Sequence, residues 1–231
     1  MSVNYNMSKV DETLVNELFE AGAHVGYSKT RRHPSARPFI FESRKKKDVI
    51  DLEKTTVQLE SALAFLKELK ATDKQVLFVG TKPEARGIVR AAAELIDMPF
   101  VTERWLGGTL TNSSELKKRV ERLIKLTDQS EKGELVAANK KEKLMLQREI
   151  ERLEVKFGGV KAMKKAPAAL FIIDPKKEEI AVTEARQMNI PVIALANTDC
   201  DVSILTHPIV ANDTNVSSIA FFTKKVADVL K

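Results

Sequence analysis

Five short stretches, QVLFVGTK, PFV, AALFIID, PVIALAN and HPIVAND, are apolar at consecutive positions rather than alternate ones. Side chains of a strand point to opposite faces in turn, so a strand with one wet face reads as an alternation, and an unbroken apolar run needs cover on both sides. Between or after these runs, PEARGIVRAAAELID, KEEIAVTEARQMN and TNVSSIAFFTKKVADVLK place apolar residues at helical spacing. Strand alternating with helix predicts an α/β fold, an open and mainly parallel doubly wound sheet with helices on both faces.

The part before the first run reads differently. DETLVNELFEAG predicts a short amphipathic helix with Leu14, Leu18 and Phe19 on one side and Gly22 at its end. FIFESRKKKDVIDL predicts two short strands joined by a basic turn, and DLEKTTVQLESALAFLKELKA a helix with Val57, Leu59, Leu63, Leu66 and Leu69 on its apolar face. One segment breaks the strand and helix rhythm. Leu116, Val120, Leu123 and Leu126, then Leu146, Ile150, Leu153 and Phe157, recur at three and four residues in two charged helices. That seam predicts a coiled-coil helical hairpin, residues 113–156, inserted into a discontinuous α/β domain of residues 1–112 and 157–231.

Charge gives the class of partner. Lys and Arg total 38 against 32 acids, for a net charge of +6. The excess is concentrated: KTRRHPSARPFIFESRKKK, Lys29 to Lys47, holds eight cations and the single acid Glu42. Pro34 and Pro38 predict an extended loop there, one that aims arginine forks at phosphate oxygens. Arg31, Arg32, His33, Arg37, Arg44, Lys45, Lys46 and Lys47 are the candidate RNA contacts, joined by Lys82, Arg86 and Arg104. A solvated loop carrying charge for solubility is the plainer reading of the same pattern.

Catalytic equipment is missing from the spacing. VLFVGTKPEAR sets Gly80 between a strand and a helix, where a phosphate could sit, yet neither G-x-G-x-x-G nor G-x-x-x-x-G-K-[ST] is present. His24, His33 and His207 form no H-x-x-x-H pair, although His24 could meet Asp199, Asp201 or Asp213 at the strand ends. No Ser-His-Asp triad or acid and base pair can be read. Cys200 has no partner for a disulfide, the first residues lack an apolar signal core, and no stretch is long and apolar enough to span a membrane. A soluble, unprocessed protein of a reducing cytoplasm is expected. RWLGGTLTN reads as a structural corner, with Gly107 and Gly108 turning the chain, Thr111, Asn112 or Ser113 capping the next helix, and Trp105 packed beneath.

LFEAGAHVGYSKTRRHPSARPFIF, DVIDLEKT, VLFVGTK, MPFVTERWLGGTLTN, KLMLQREIERLEVKFGGVKAM, PAALFIIDPKKEEIAVTEARQMNIPVIALANTD and AND occur in one order. In that order the chain resembles the bacterial small-subunit ribosomal protein S2 family, nearly end to end. The resemblance implies a Rossmann-like or flavodoxin-like sheet with an inserted hairpin, and a non-catalytic role in the small ribosomal subunit of a bacterial cytoplasm. It implies as partners small-subunit ribosomal RNA, neighbouring small-subunit ribosomal proteins and the large ribosomal protein built of OB-fold repeats. Members of the family can gather a metal from histidine and acid positions. Here Tyr27 stands where the family has its second histidine, Asn197 where it has the first acid of D-T-N, and Thr214 where it has the second acid of N-D-D, so no metal and no cofactor are expected. The alternative on the same fold is a nucleotide- or sugar-phosphate-binding enzyme; a hairpin-mediated scaffold without RNA is a third reading.

Overall fold

In the computed structural model, which describes residues 12–72, 74–133, 140–163 and 165–231, the five apolar runs become one parallel sheet. The first residues of the chain and residues 134–139, between the two predicted hairpin helices, lie outside the described residues. The strands of the sheet are β4 (Val76–Val79), β5 (Phe100–Val101), β6 (Ala169–Ile173), β7 (Val192–Ala196) and β8 (His207–Val210), in spatial order β5-β4-β6-β7-β8. Successive residues feed two separate cores. Val76, Phe78, Phe171, Ile173, Ile193 and Leu195 point into one, and Leu77, Val79, Leu170, Ile172, Ala194 and Ala196 into the other. This is why the runs are apolar throughout: neither face of β4, β6 or β7 meets water.

The first core is covered by α1 (Glu12–Glu20), α2 (Leu52–Ala71), α3 (Pro83–Leu95) and α7 (Val216–Leu230), the second by α6 (Glu179–Gln187) and the base of a helix pair. That pair is α4 (Ser113–Glu131) and α5 (Lys140–Phe157), which lie against each other and are bridged by Arg122 and Glu149 at 2.7 Å. All eight seam residues predicted from the spacing are buried or half-buried. In α1 the expectation needs correction: Leu18 is buried, but Phe19 is exposed and stacks on His24 with ring centroids 4.4 Å apart.

Both flanks of the parallel sheet are closed by side chains or tight backbone. At β8, Gln58 accepts from the Val210 amide at 2.9 Å while Thr55 donates to the Val210 carbonyl at 2.7 Å, so α2 satisfies the strand. At β5, Gly159 lies so near that a Cβ would fall 2.3 Å from the Phe100 carbonyl oxygen. Gly159→Ala is therefore expected to lower stability by about 2 kcal/mol, because backbone must shift to relieve the overlap. Gly107→Ala, where a Cβ meets nothing within 4 Å, is expected to be near neutral. Urea denaturation of the two variants gives the contrast.

A second, antiparallel sheet of order β1-β3-β2 precedes the large one: β1 (Val25–Ser28), β2 (Ile40–Arg44) and β3 (Lys47–Ile50). Its β2 and β3 are the predicted pair joined by a basic turn; β1 was not predicted. The link from β1 to β2 is not the extended loop expected from its prolines. It forms two 3-10 turns, Lys29–Arg31 and Pro34–Phe39, with His33 as the cap of the second. Proline fixes φ inside the range of a 3-10 turn, and Pro34 opens its turn where no amide donor is needed.

Candidate functional site

The small sheet packs over the carboxyl ends of the large one. His33 donates its amide to the Thr198 carbonyl at 2.8 Å, and Tyr27 donates its amide to the Thr198 hydroxyl at 3.0 Å. Gly26 allows the approach, since a Cβ there would lie 2.8 Å from the Thr198 methyl and 3.0 Å from the Asp48 carbonyl. Beneath this cover lies the crevice between β4 and β6, where the chain reverses its direction of travel across the sheet and where open α/β sheets bind ligands.

Here the crevice is filled by the protein's own charges. Lys82, leading into α3, places its ammonium 2.7 Å from Asp174 Oδ2 and 2.8 Å from Asp213 Oδ2, and the lysine side chain is only 11% exposed. Asn197 Nδ2 donates to the other oxygen of Asp213 at 2.9 Å. Burial alone would pull the Lys82 ammonium down, but the two carboxylates outweigh it and hold it above the ordinary lysine value. Burial drives the Asp213 carboxyl up to about 6, helped by Asp174 and opposed by Lys82. At the start of α3 the position open to an anion is taken by Glu178, which accepts from the Thr81 hydroxyl and amide and is itself pushed up by burial. Tyr27 is raised by burial and by Asp213.

RWLGGTLTN closes around a carboxylate. Glu184 of α6 accepts from Trp105 Nε1 at 3.1 Å, from the amide of Gly108 at 2.7 Å and from that of Leu110 at 2.9 Å. The Thr111 amide adds a fourth at 3.3 Å. Burial disfavours this charge, yet the donors outweigh burial and Glu184 lies below the ordinary glutamate value. Trp105 is buried, and Asn112 occupies the cap position of α4 without a capping side-chain bond.

The basic residues divide into three groups. Arg32 grips the buried Asp48 with two nitrogens and donates to Ser43 at 2.7 Å, so its guanidinium stitches the 3-10 segment to the small sheet; Lys82 is equally enclosed. Arg31 stacks over Tyr27 at 4.3 Å and reaches Asp199 at 3.3 Å, Arg86 pairs with Glu103 at 3.1 Å, and His33 Nδ1 lies 2.7 Å from the Ser35 hydroxyl. Arg37, Lys45, Lys46, Lys47 and Arg104 are exposed and make no ion pair among the described residues, and Arg44, equally exposed, pairs with Glu42. Two cations that were not singled out join this side: Lys29, whose amide donates to the Lys46 carbonyl at 3.0 Å, and Lys176, 3.0 Å from Asp199. Lys29 is visible in the charge run itself, whereas Lys176 is brought in only by the fold.

A metal does not fit this arrangement. The Lys82 ammonium fills the space between Asp174 and Asp213, and, although the His24 Nδ1 is buried without a hydrogen-bond partner, among the described residues no three His, Cys, Asp or Glu side chains converge.

The chain matches the family model described as ribosomal protein S2 over residues 18–231. It is similar to the small ribosomal subunit protein uS2 of Petrotoga mobilis, with 44% identity over 216 residues, covering 94% of this chain and 75% of that protein. With a match over most of its length and a relative this similar, the chain belongs to the ribosomal protein S2 family.

Proposed function

We infer that this chain is a structural constituent of the small ribosomal subunit that holds ribosomal RNA through its basic amino-terminal side. The observation that carries this reading is the contrast between a ligand crevice occupied by Lys82, Asp174, Asp213 and Glu178 and a surface where Arg37, Arg44, Lys45, Lys46 and Lys47 stand exposed. Exposed cations neutralise phosphates without reading sequence, which suits a protein that supports a folded RNA. Arg104 belongs to the same set; Arg31, His33 and Arg86 contribute once their partners release them, and Arg32 and Lys82 serve the fold. The protein works on the ribosome in a bacterial cytoplasm, beside other small-subunit proteins and within reach of the OB-repeat protein. A nucleotide or sugar-phosphate enzyme finds no support in this crevice, because Glu178 takes the anion position and Lys82 has no charge to spare.

The test is binding to small subunits salt-washed free of their own copy. Between about 50 and about 200 mM salt, affinity is expected to fall by about a thousandfold, as several released counterions require. Affinity independent of salt removes the phosphate account.

A further inference from the structure

The turn between β2 and β3 is built from residues that are poorly suited to its backbone. Arg44 pairs with Lys47, which leaves Lys45 and Lys46 as a two-residue loop, and both have positive φ, 47° and 68°. Positive φ at both central residues is the type I′ geometry that matches strand twist, and it favours Asn-Gly, Asp-Gly or Gly-Gly because a Cβ is strained there. Two lysines accept that strain twice. They also crowd charge: Arg44, Lys45, Lys46 and Lys47 are consecutive, and the Lys29 to Lys46 backbone bond brings a fifth cation alongside.

The fold does not relieve the crowding. Glu42 is paired with Arg44, and Asp48 is buried and already held by Arg32 and Ser43. Among the described residues Lys29, Lys45, Lys46 and Lys47 make no ion pair, and all four are exposed. Backbone strain and like-charge repulsion thus coincide at one exposed tip, a combination that costs the free protein and is repaid when a polyanion arrives. Solubility alone does not call for it, since Arg44 and Lys47 charge the strand ends without strain.

We propose that the Lys45–Lys46 turn is a dedicated phosphate-binding tip that exchanges stability of the free protein for grip on the RNA backbone. The proposal rests on the RNA-binding reading above and narrows it to one contact. The hairpin sets the backbones of both lysines in a paired turn, so less backbone freedom is lost on binding than with lysines in a loose tail.

The experiment compares wild type with Lys45→Asn/Lys46→Gly, which supplies the residues preferred by this turn, and with Lys67→Gln/Lys70→Gln, which removes the same charge from the exposed side of α2. The turn variant is expected to melt about 4 °C higher. Its affinity for salt-washed small subunits is expected to fall about tenfold or more at about 100 mM salt, and its salt slope to shrink by roughly 1.5. The α2 variant is expected to match wild type in both binding measures. A Lys46→Cys protein carrying a tethered iron chelate is expected to cleave RNA backbone beside the tip.

A turn variant that melts higher but binds with unchanged affinity and slope overturns the proposal and leaves the broader RNA reading intact. A turn variant that melts no higher overturns the strain argument. Loss of binding without RNA cleavage assigns the tip to a protein neighbour, which also overturns the proposal. Wild type that binds without salt dependence removes the RNA reading and this contact with it.

Discussion

Glu184→Ala is expected to destabilise the protein by about 4 kcal/mol, since each buried donor left without its acceptor costs about 1–3 kcal/mol and hydrogen bonds to a charge are the stronger kind. One carboxylate takes bonds from Trp105, Gly108, Leu110 and Thr111, so alanine deprives the whole RWLGGTLTN corner at once. At about 2–4 °C per kcal/mol for a chain of this size, the melting temperature should drop by about 12 °C. Glu184→Gln keeps one acceptor oxygen and is expected to lose roughly half as much. The sign of the pH dependence follows from the depressed carboxyl. Its stabilisation is complete above the ordinary glutamate value of 4.5 and is lost as pH falls below that through the lower folded value. The gap between wild type and Glu184→Gln in urea denaturation should therefore be widest near neutrality and close in acid. A constant gap would mean that the charge of Glu184 contributes nothing.

Lys82→Met carries the second large effect. Removing the ammonium leaves Asp174 and Asp213 facing each other in a buried setting, and a loss of about 3–5 kcal/mol is expected at neutral pH. Asp213→Asn in the same chain should restore a large part of it, and the double-mutant cycle measures the coupling. The pH response has the opposite sign to that of Glu184. The folded value of Asp213, about 6 even with Lys82 present, lies above its ordinary 3.8, so its protonated form favours the folded state. In Lys82→Met the lowering influence of the ammonium is gone, so the folded value of Asp213 moves higher still and stability should rise as pH falls through it toward 3.8. No recovery in the double variant and no gain in acid would show that Lys82 is not the counter-charge of this cluster.

Particular residues show what the sequence made legible. The strands could be read because Val76–Val79, Ala169–Ile173 and Val192–Ala196 are apolar on both faces, a local pattern that demands cover. The helix pair could be read because its seam repeats. By contrast β1 has four residues, one of them glycine, and too few alternations to register. The proline-rich link was misread because proline excludes the helix interior but fits a 3-10 turn. Glu184 looked like any acid on a polar helix, since its donors come from a distant loop. Lys82 looked like a free cation for the same reason: Asp174 and Asp213 approach it only when parallel strands align. Paired and unpaired cations look identical in sequence, so the candidate contacts could be grouped by charge but not sorted by availability.

The sealed flanks of the parallel sheet bear on the interval between synthesis and docking. A component made in excess of its ribosomal RNA must wait in a crowded cell, and an open ladder of amides would invite a second copy to add on strand by strand. Gln58 and Thr55 on one border, and Gly159 pressed against Phe100 on the other, give the main sheet of the waiting chain nowhere to grow.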